Sequence, residues 1–236
     1  MAIPIGYGCP YSEYGTVKME IYSDLKARHR AERANYPHNL TLRVHRSLSW
    51  LNNAEQQRNN DSDSAFIFYW IAFNAAYGFD VDSEYRHGEK QSFRDFLTKI
   101  VALDSEQQLE KLVWQKFSGP IRVLLDNQYV FQPFWDFHNQ RIDETEWTEK
   151  FKTAKAAAHT AMTNRSTEKV LAIVCDRLYT LRNQLIHGGA TWQSAANRDA
   201  MRDCTEVMAC LVPTVIGIMM DHPNTLWGAP IYPIVD

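Results

Sequence analysis

From Ala65 to Tyr77 the chain reads AFIFYWIAFNAAY, with no charged residue and a single amide, Asn74. A helix with no polar face has to be covered on every side. The run therefore predicts a central helix, Ser64 to Tyr77, ended by Gly78 and wrapped by other elements. A buried amide needs hydrogen-bond partners, so Asn74 is expected to bond between helices rather than to position an active-site group. The run falls short of the ~20 residues a bilayer span requires. The N-terminal Met1 to Gly15, rich in Gly, Pro and Tyr, lacks the basic-then-apolar order of a signal peptide. The expectation is a soluble cytoplasmic protein with no membrane contact.

The rest of the chain supplies helices to cover that centre. Thr16 to Arg33 alternates charges at helical spacing, up to Tyr36-Pro37, and its interleaved acids favour a solvated face over an RNA-contacting one. Thr41 to Arg58 is amphipathic, with Val44, Leu48 and Leu51 on one side and Arg43, Arg46 and Arg58 facing elsewhere. Asn59 to Asp63 is a polar loop whose acids suit a helix start. After a polar loop at Asp80 to Gly88, Glu89–Leu103 and Ser105–Phe117 read as two shorter helices. Asp104-x-x-Gln107 and Ser105-x-x-Gln108 both have capping-box form there. Gly119-Pro120 reads as a break, and Ile121–Leu125 as a short apolar turn or helix. Tyr129–Phe137 (YVFQPFWDF) reads as a packed irregular segment, its aromatics more suited to a core than to base stacking.

Asp143 to Met162 is helical. Ser166 to Ile186 carries the clearest stripe, Leu171, Val174, Leu178, Leu181 and Leu185. Gln193 to Asp221 repeats the spacing with Met201, Cys204, Met208, Leu211, Val215 and Ile218. Pro213 is expected to kink it, and His222-Pro223 to close it. The tail from Trp227 to Asp236 should lie extended along the body. With no β alternation and no internal repeat, the fold class is all-α. The division is 1–40, an extension with one charged helix; 41–222, the helical domain; and 223–236, the tail.

Composition narrows the functions. The chain has 236 residues and a net charge of −3, so any grip on RNA must be local rather than a broad basic surface. Four scattered cysteines, Cys9, Cys175, Cys204 and Cys210, form no C-x-x-C pair and suit a reducing compartment without zinc or disulfides. His29, His38, His45, His87, His138 and His159 form no H-x3-H or H-E-x-x-H pattern, which leaves a metal hydrolase little support. No cofactor and no metal are expected.

One stretch combines reactive types at fixed spacing: LRNQLIHGG, Leu181 to Gly189. Arg182 is a phosphate-reading group, His187 an imidazole of the kind that trades protons near neutral pH, and Asn183 lies beside the arginine. Asn183 and His187 are i,i+4 neighbours. A second stripe, Cys175, Tyr179, Arg182 and Ile186, gives the helix two apolar faces, as inside a bundle or at a subunit interface. Arg182 and His187 diverge by roughly 140° on a continuous helix. They can share one phosphate if the helix end loosens at Gly188-Gly189, or if a second copy supplies half of the site. RNA cleavage without a metal needs both a base and an acid, and two protomers bring two histidines. From spacing alone a capping role, with both side chains complementing a helix C-terminus, is favoured, because R-x4-H arises often by chance.

The segment LRNQLIHG, at the end of the penultimate long helix of an all-α chain, resembles the R-[polar]-x3-H motif of the HEPN superfamily. FIFYWIAFNAAYG (Phe66–Gly78) is similar to the second helix of its Apea-like branch. The resemblance is firm over these two segments and loose from Thr41 to Met220. It implies a HEPN-like helical bundle with added peripheral helices, a two-fold homodimer with facing motifs, and metal-independent endoribonuclease activity of a toxin or defence effector. Arg182 and His187 map onto the catalytic pair and Asn183 onto the polar position. Where many toxin-type members carry a modifiable tyrosine two residues after the histidine, this chain has Gly189. RNA, a second copy, and an antitoxin or other protein are the partners implied. The rival reading is a HEPN-like adaptor that holds RNA, a nucleotide or a protein without cutting; the net charge leans that way and the intact Arg182/Asn183/His187 set leans towards cleavage.

Overall fold

In a computed structural model of the chain, which describes residues 21–78, 86–195, 198–230 and 232 (backbone alone for 86–92), helices account for the regular structure and no strand occurs among the described residues. The helices are α1 (Tyr22–Glu32), α2 (His38–Gln57), α3 (Ser62–Tyr77), α4 (Arg86–Leu103), α5 (Gln108–Lys111), α6 (Ser118–Asp126), α7 (Gln132–His138), α8 (Glu144–Thr163), α9 (Thr167–Ile186) and α10 (Arg198–Asp221). The chain is all-α. The residues before Ile21, residues 79–85 of the expected polar loop and the last four residues lie outside the described residues.

The central helix forms as its composition requires. Asp61 caps α3, its carboxylate accepting the amides of Asp63 and Ser64, which satisfies donors with no partner in the first turn. α3 packs on α2, α10 and α9. Phe66, Tyr69 and Phe73 are fully buried, each such burial worth about 2 kcal/mol. The cover is incomplete, however: Ile67, Phe68, Ile71 and Ala75 are only half-buried. Asn74 also departs from expectation, since its Oδ1 is buried without a partner among the described residues.

α10 is the longer apolar helix. By length and composition it is apolar enough to cross a membrane, yet 83% of its most apolar window is buried inside the protein. It serves as a core helix against α2 and α3. Pro213 sits within an unbroken helical run.

Several local expectations are corrected. Arg43 does not face away from the core; it is 1% exposed. Its guanidinium donates to the carbonyls of Ala76 (3.1 Å), Gly228 (3.2 Å) and Ala229 (2.7 Å). This arginine fastens the C-terminal tail across α2, and Trp227 is buried beside it in the common core. Burial, with Arg46 adding repulsion, pushes Arg43 down to about 10. α1 is not simply a solvated face, because Leu25 and His29 are fully buried. Asp104 accepts the amides of Gln108 and Leu109 (2.9 and 2.7 Å), so α5 starts three residues late, after Gln107 at φ +54°. It then loosens into a π-helical stretch, Leu112–Lys116. Gly119-Pro120 opens α6 rather than breaking the pattern, and Pro133 opens α7 inside the segment read as irregular. Proline has no amide to leave unpaired in a first helical turn. The YVFQPFWDF aromatics do pack, Phe134 against Trp147 and Phe131 against Phe151 of α8.

Candidate functional site

α9 ends where its last turn meets two glycines. Gly188 takes the left-handed conformation, φ +68°, which a β-carbon disfavours. Its amide donates to Leu185 O at 3.2 Å, and the Gly189 amide to Gln184 O at 2.7 Å. These paired bonds are a Schellman stop. His187 is the capping residue before it (φ −92°, ψ 10°), and its amide still closes a helical bond to Asn183 O at 3.0 Å. The imidazole is exposed on a well-fixed backbone.

Arg182 is half-buried. Its Nη1 donates to Asn183 Oδ1 at 2.9 Å, and its guanidinium lies 6.0 Å from the Tyr179 ring centroid. Tyr179 in turn leans on Trp70 of α3, centroids 6.0 Å apart. The Asn183 side chain thus serves the arginine, and Asn183 meets His187 through the backbone. The five-residue offset leaves Arg182 and His187 pointing apart on one helix end, and the Schellman stop terminates the helix there without bringing them together.

Within the single chain the second packed side of α9 is not the flank of that stripe. Of Cys175, Tyr179, Arg182 and Ile186, Cys175 alone is buried, while Tyr179 and Ile186 are 42% and 50% exposed. The covered flank is the opposite one, at Arg177 and Thr180. Arg177 stacks on Phe131 at 4.3 Å and lies near Phe151 at 5.9 Å. Aromatic faces there accept an arginine that no apolar stripe would have included.

Two supports of the motif were not legible in the sequence. Gln184 Nε2 donates to Tyr129 O at 2.6 Å, a carbonyl that also accepts Trp135 Nε1 at 2.8 Å, which ties the end of α9 to the segment before α7. The loop after His187 is fixed to the start of α3. Asp63, 5% exposed, accepts Arg198 at 2.6 Å and the Gln193 amide at 2.8 Å. The acids of the 59–63 loop signalled a helix start; nothing in their spacing signalled a second set of partners 130 residues away.

Other chemistry has less to work with. Cys175, Cys204 and Cys210 are buried, and burial pushes all three thiols up, away from the reactive thiolate. Among the described residues no three His, Cys, Asp or Glu side chains gather as they would around a metal ion. An open groove of about 520 Å³ runs along α7 and α8, lined in part by Phe131, Pro133, Glu149 and Ala157; no motif residue lines it. Compared with protein-family models, curated proteins and solved structures, the chain matches none.

Proposed function

We propose that the chain is a metal-independent endoribonuclease of HEPN type, acting as a two-fold dimer in which Arg182 and His187 of both protomers form one site. The observation that carries this reading is the end of α9. An exposed histidine sits on a fixed helix stop; the arginine is oriented by Asn183 and Tyr179; and Tyr179 and Ile186 stay uncovered beside them. Exposed apolar side chains flanking a reactive pair suit a second copy of the same face.

In that arrangement one imidazole takes the proton of the RNA 2′-hydroxyl, and the 2′-oxygen attacks phosphorus. The bond from phosphorus to the 5′-oxygen breaks, and the second imidazole, in its protonated form, gives its proton to that oxygen. The products are a 2′,3′-cyclic phosphate and a 5′-hydroxyl. The arginine fork offsets the charge that builds on the phosphoryl oxygens. Asn183 keeps the guanidinium in place.

The test is cleavage of labelled RNA in EDTA. Wild-type protein is expected to cut, and His187→Ala and Arg182→Ala to lose roughly a hundred-fold or more. Cleavage that survives either substitution removes the site assignment, and a monomeric solution mass removes the shared site. A wild-type protein that binds RNA without cutting it supports the adaptor reading, which the net charge of −3 favours.

A further inference from the structure

The loop between α9 and α10 holds one feature that the motif does not use. Trp192 is 66% exposed, the most exposed tryptophan among the described residues. Exposing an indole gives up burial worth about 2 kcal/mol or more, and such a ring on a slack loop would be unremarkable.

This loop is not slack. The Trp192 Nε1–H donates to Asp61 Oδ2 at 3.1 Å, and Asp61 is itself locked as the cap of α3. The next residue, Gln193, is held in the left-handed region at φ +52°, where its amide reaches Asp63. Ser194 N bonds Thr191 O at 3.0 Å, and Arg198 Nε bonds Ser194 O at 3.0 Å. A non-glycine residue kept at positive φ costs free energy that surrounding contacts must offset. Here those contacts fix the edge of the indole and leave its face to solvent.

From this we infer that Trp192 is a stacking platform for an unpaired nucleobase of the RNA whose backbone the Arg182/His187 end of α9 engages. The inference rests on the ribonuclease reading. Three observations favour a base over a protein surface as the occupant. The ring stands among Ala190, Thr191, Gln193 and Ala195, all exposed and small or polar, whereas a protein hot spot sits at the centre of a wider apolar patch. The indole N–H is already bonded to Asp61, so what remains is a π face, and stacking needs only that. The platform also follows His187 by five residues, with the bonds of Gly188, Gly189 and Ala190 fixing the turn between them.

The experiment uses a fluorescein-labelled single-stranded 2′-O-methyl RNA, which offers bases and phosphates but no 2′-hydroxyl to attack. Binding is read by anisotropy with wild type, Trp192→Ala, Trp192→Leu and Trp192→Phe, beside thermal melting and sedimentation of each. The expected result is binding about ten-fold weaker for Trp192→Ala and for Trp192→Leu, with Trp192→Phe within about three-fold of wild type. Melting temperature and oligomeric mass should not move. If Leu binds as well as Trp, the contact is not stacking. If the substitutions leave both binding and cleavage untouched while wild type cuts RNA, the platform falls and the ribonuclease reading stands. A variant that loses its oligomer assigns the ring to a protein interface and overturns the inference. A wild type that neither binds nor cuts removes both readings.

Discussion

α9 carries two arginines five residues apart, and the protein treats them in opposite ways. Arg177 is 1% exposed, its Nε and Nη1 buried without partners among the described residues, and it is held by the faces of Phe131 and Phe151. Arg182 is half-buried and bonded to Asn183. The histidines divide in the same way. His29 is fully buried between α1 and α2, whereas His187 is exposed on a helix stop. A reactive residue type is therefore no guide by itself. The buried pair acts as packing, and the presented pair keeps part of its hydrogen-bonding capacity open to solvent.

The largest expected effect breaks the arginine comparison. Arg182→Ala should abolish RNA cleavage by roughly a hundred-fold or more with little change in melting temperature. Arg177→Met, which keeps the stem's volume and gives up both the buried charge and its contacts with the Phe131 and Phe151 rings, should leave cleavage intact and change stability by no more than about 1 kcal/mol. If Arg177→Met also loses cleavage with an unchanged melting curve, the two arginines are not separable as drawn.

Next comes the clamp behind the presented end. Asp63→Ala leaves Arg198, which is half-buried, without its acid and should cost about 3 kcal/mol in urea unfolding. The Gln193 amide, losing its acceptor, should also exchange its hydrogen faster. Slow exchange there in the variant would mean that the loop is held by other contacts.

The histidine comparison predicts a pH dependence. Burial, with the positive charges of Lys26 and Arg33 and the nearby His45, pushes His29 down to about 4. The folded protein keeps this ring neutral while the unfolded chain protonates it below its ordinary value near 6.5. The contribution to stability is complete above that value and is lost as pH falls from about 6.5 towards 4. About 2 kcal/mol should disappear between pH 7 and pH 5, and His29→Asn should flatten that part of the profile. An equally steep profile in the variant would place the titration elsewhere.

The smallest effect concerns the helix stop. Gly188→Ala puts a β-carbon at φ +68° and should cost about 1 kcal/mol. Cleavage should fall further than that loss of stability alone explains, because His187 is positioned by the same turn. Unchanged cleavage would show that the imidazole does not depend on the Schellman geometry.

Helical periodicity made much of this legible. α2, α3, α8 and α9 lie close to where apolar spacing and capping residues place them, because a 3.6-residue repeat is a local property; α10 begins at Arg198 rather than at Gln193, whose amide is held by Asp63 in a turn. Pro120 reads as a break and Pro133 as part of an irregular segment because a proline that opens a helix and one that ends it look alike until the following residues find something to pack on. The candidate site was legible as residue types in LRNQLIHGG. Its supports at Gln184–Tyr129, Asp63–Arg198 and Trp192–Asp61 were not, since each joins positions far apart in the chain.

The sequence by itself determined an all-helical chain, an apolar α3 that must be largely covered, and an Arg and a His at the end of a helix that two glycines stop. Those follow from periodicity, from the cost of exposing apolar side chains, and from the backbone freedom of glycine. Tertiary structure alone decided which flank of α9 is covered and that Arg43 and Arg177 lie inside. It also decided that Trp192 is held by its edge with its face in solvent. Those outcomes depend on carbonyls, carboxylates and ring faces brought in by distant segments, and no local pattern encodes them.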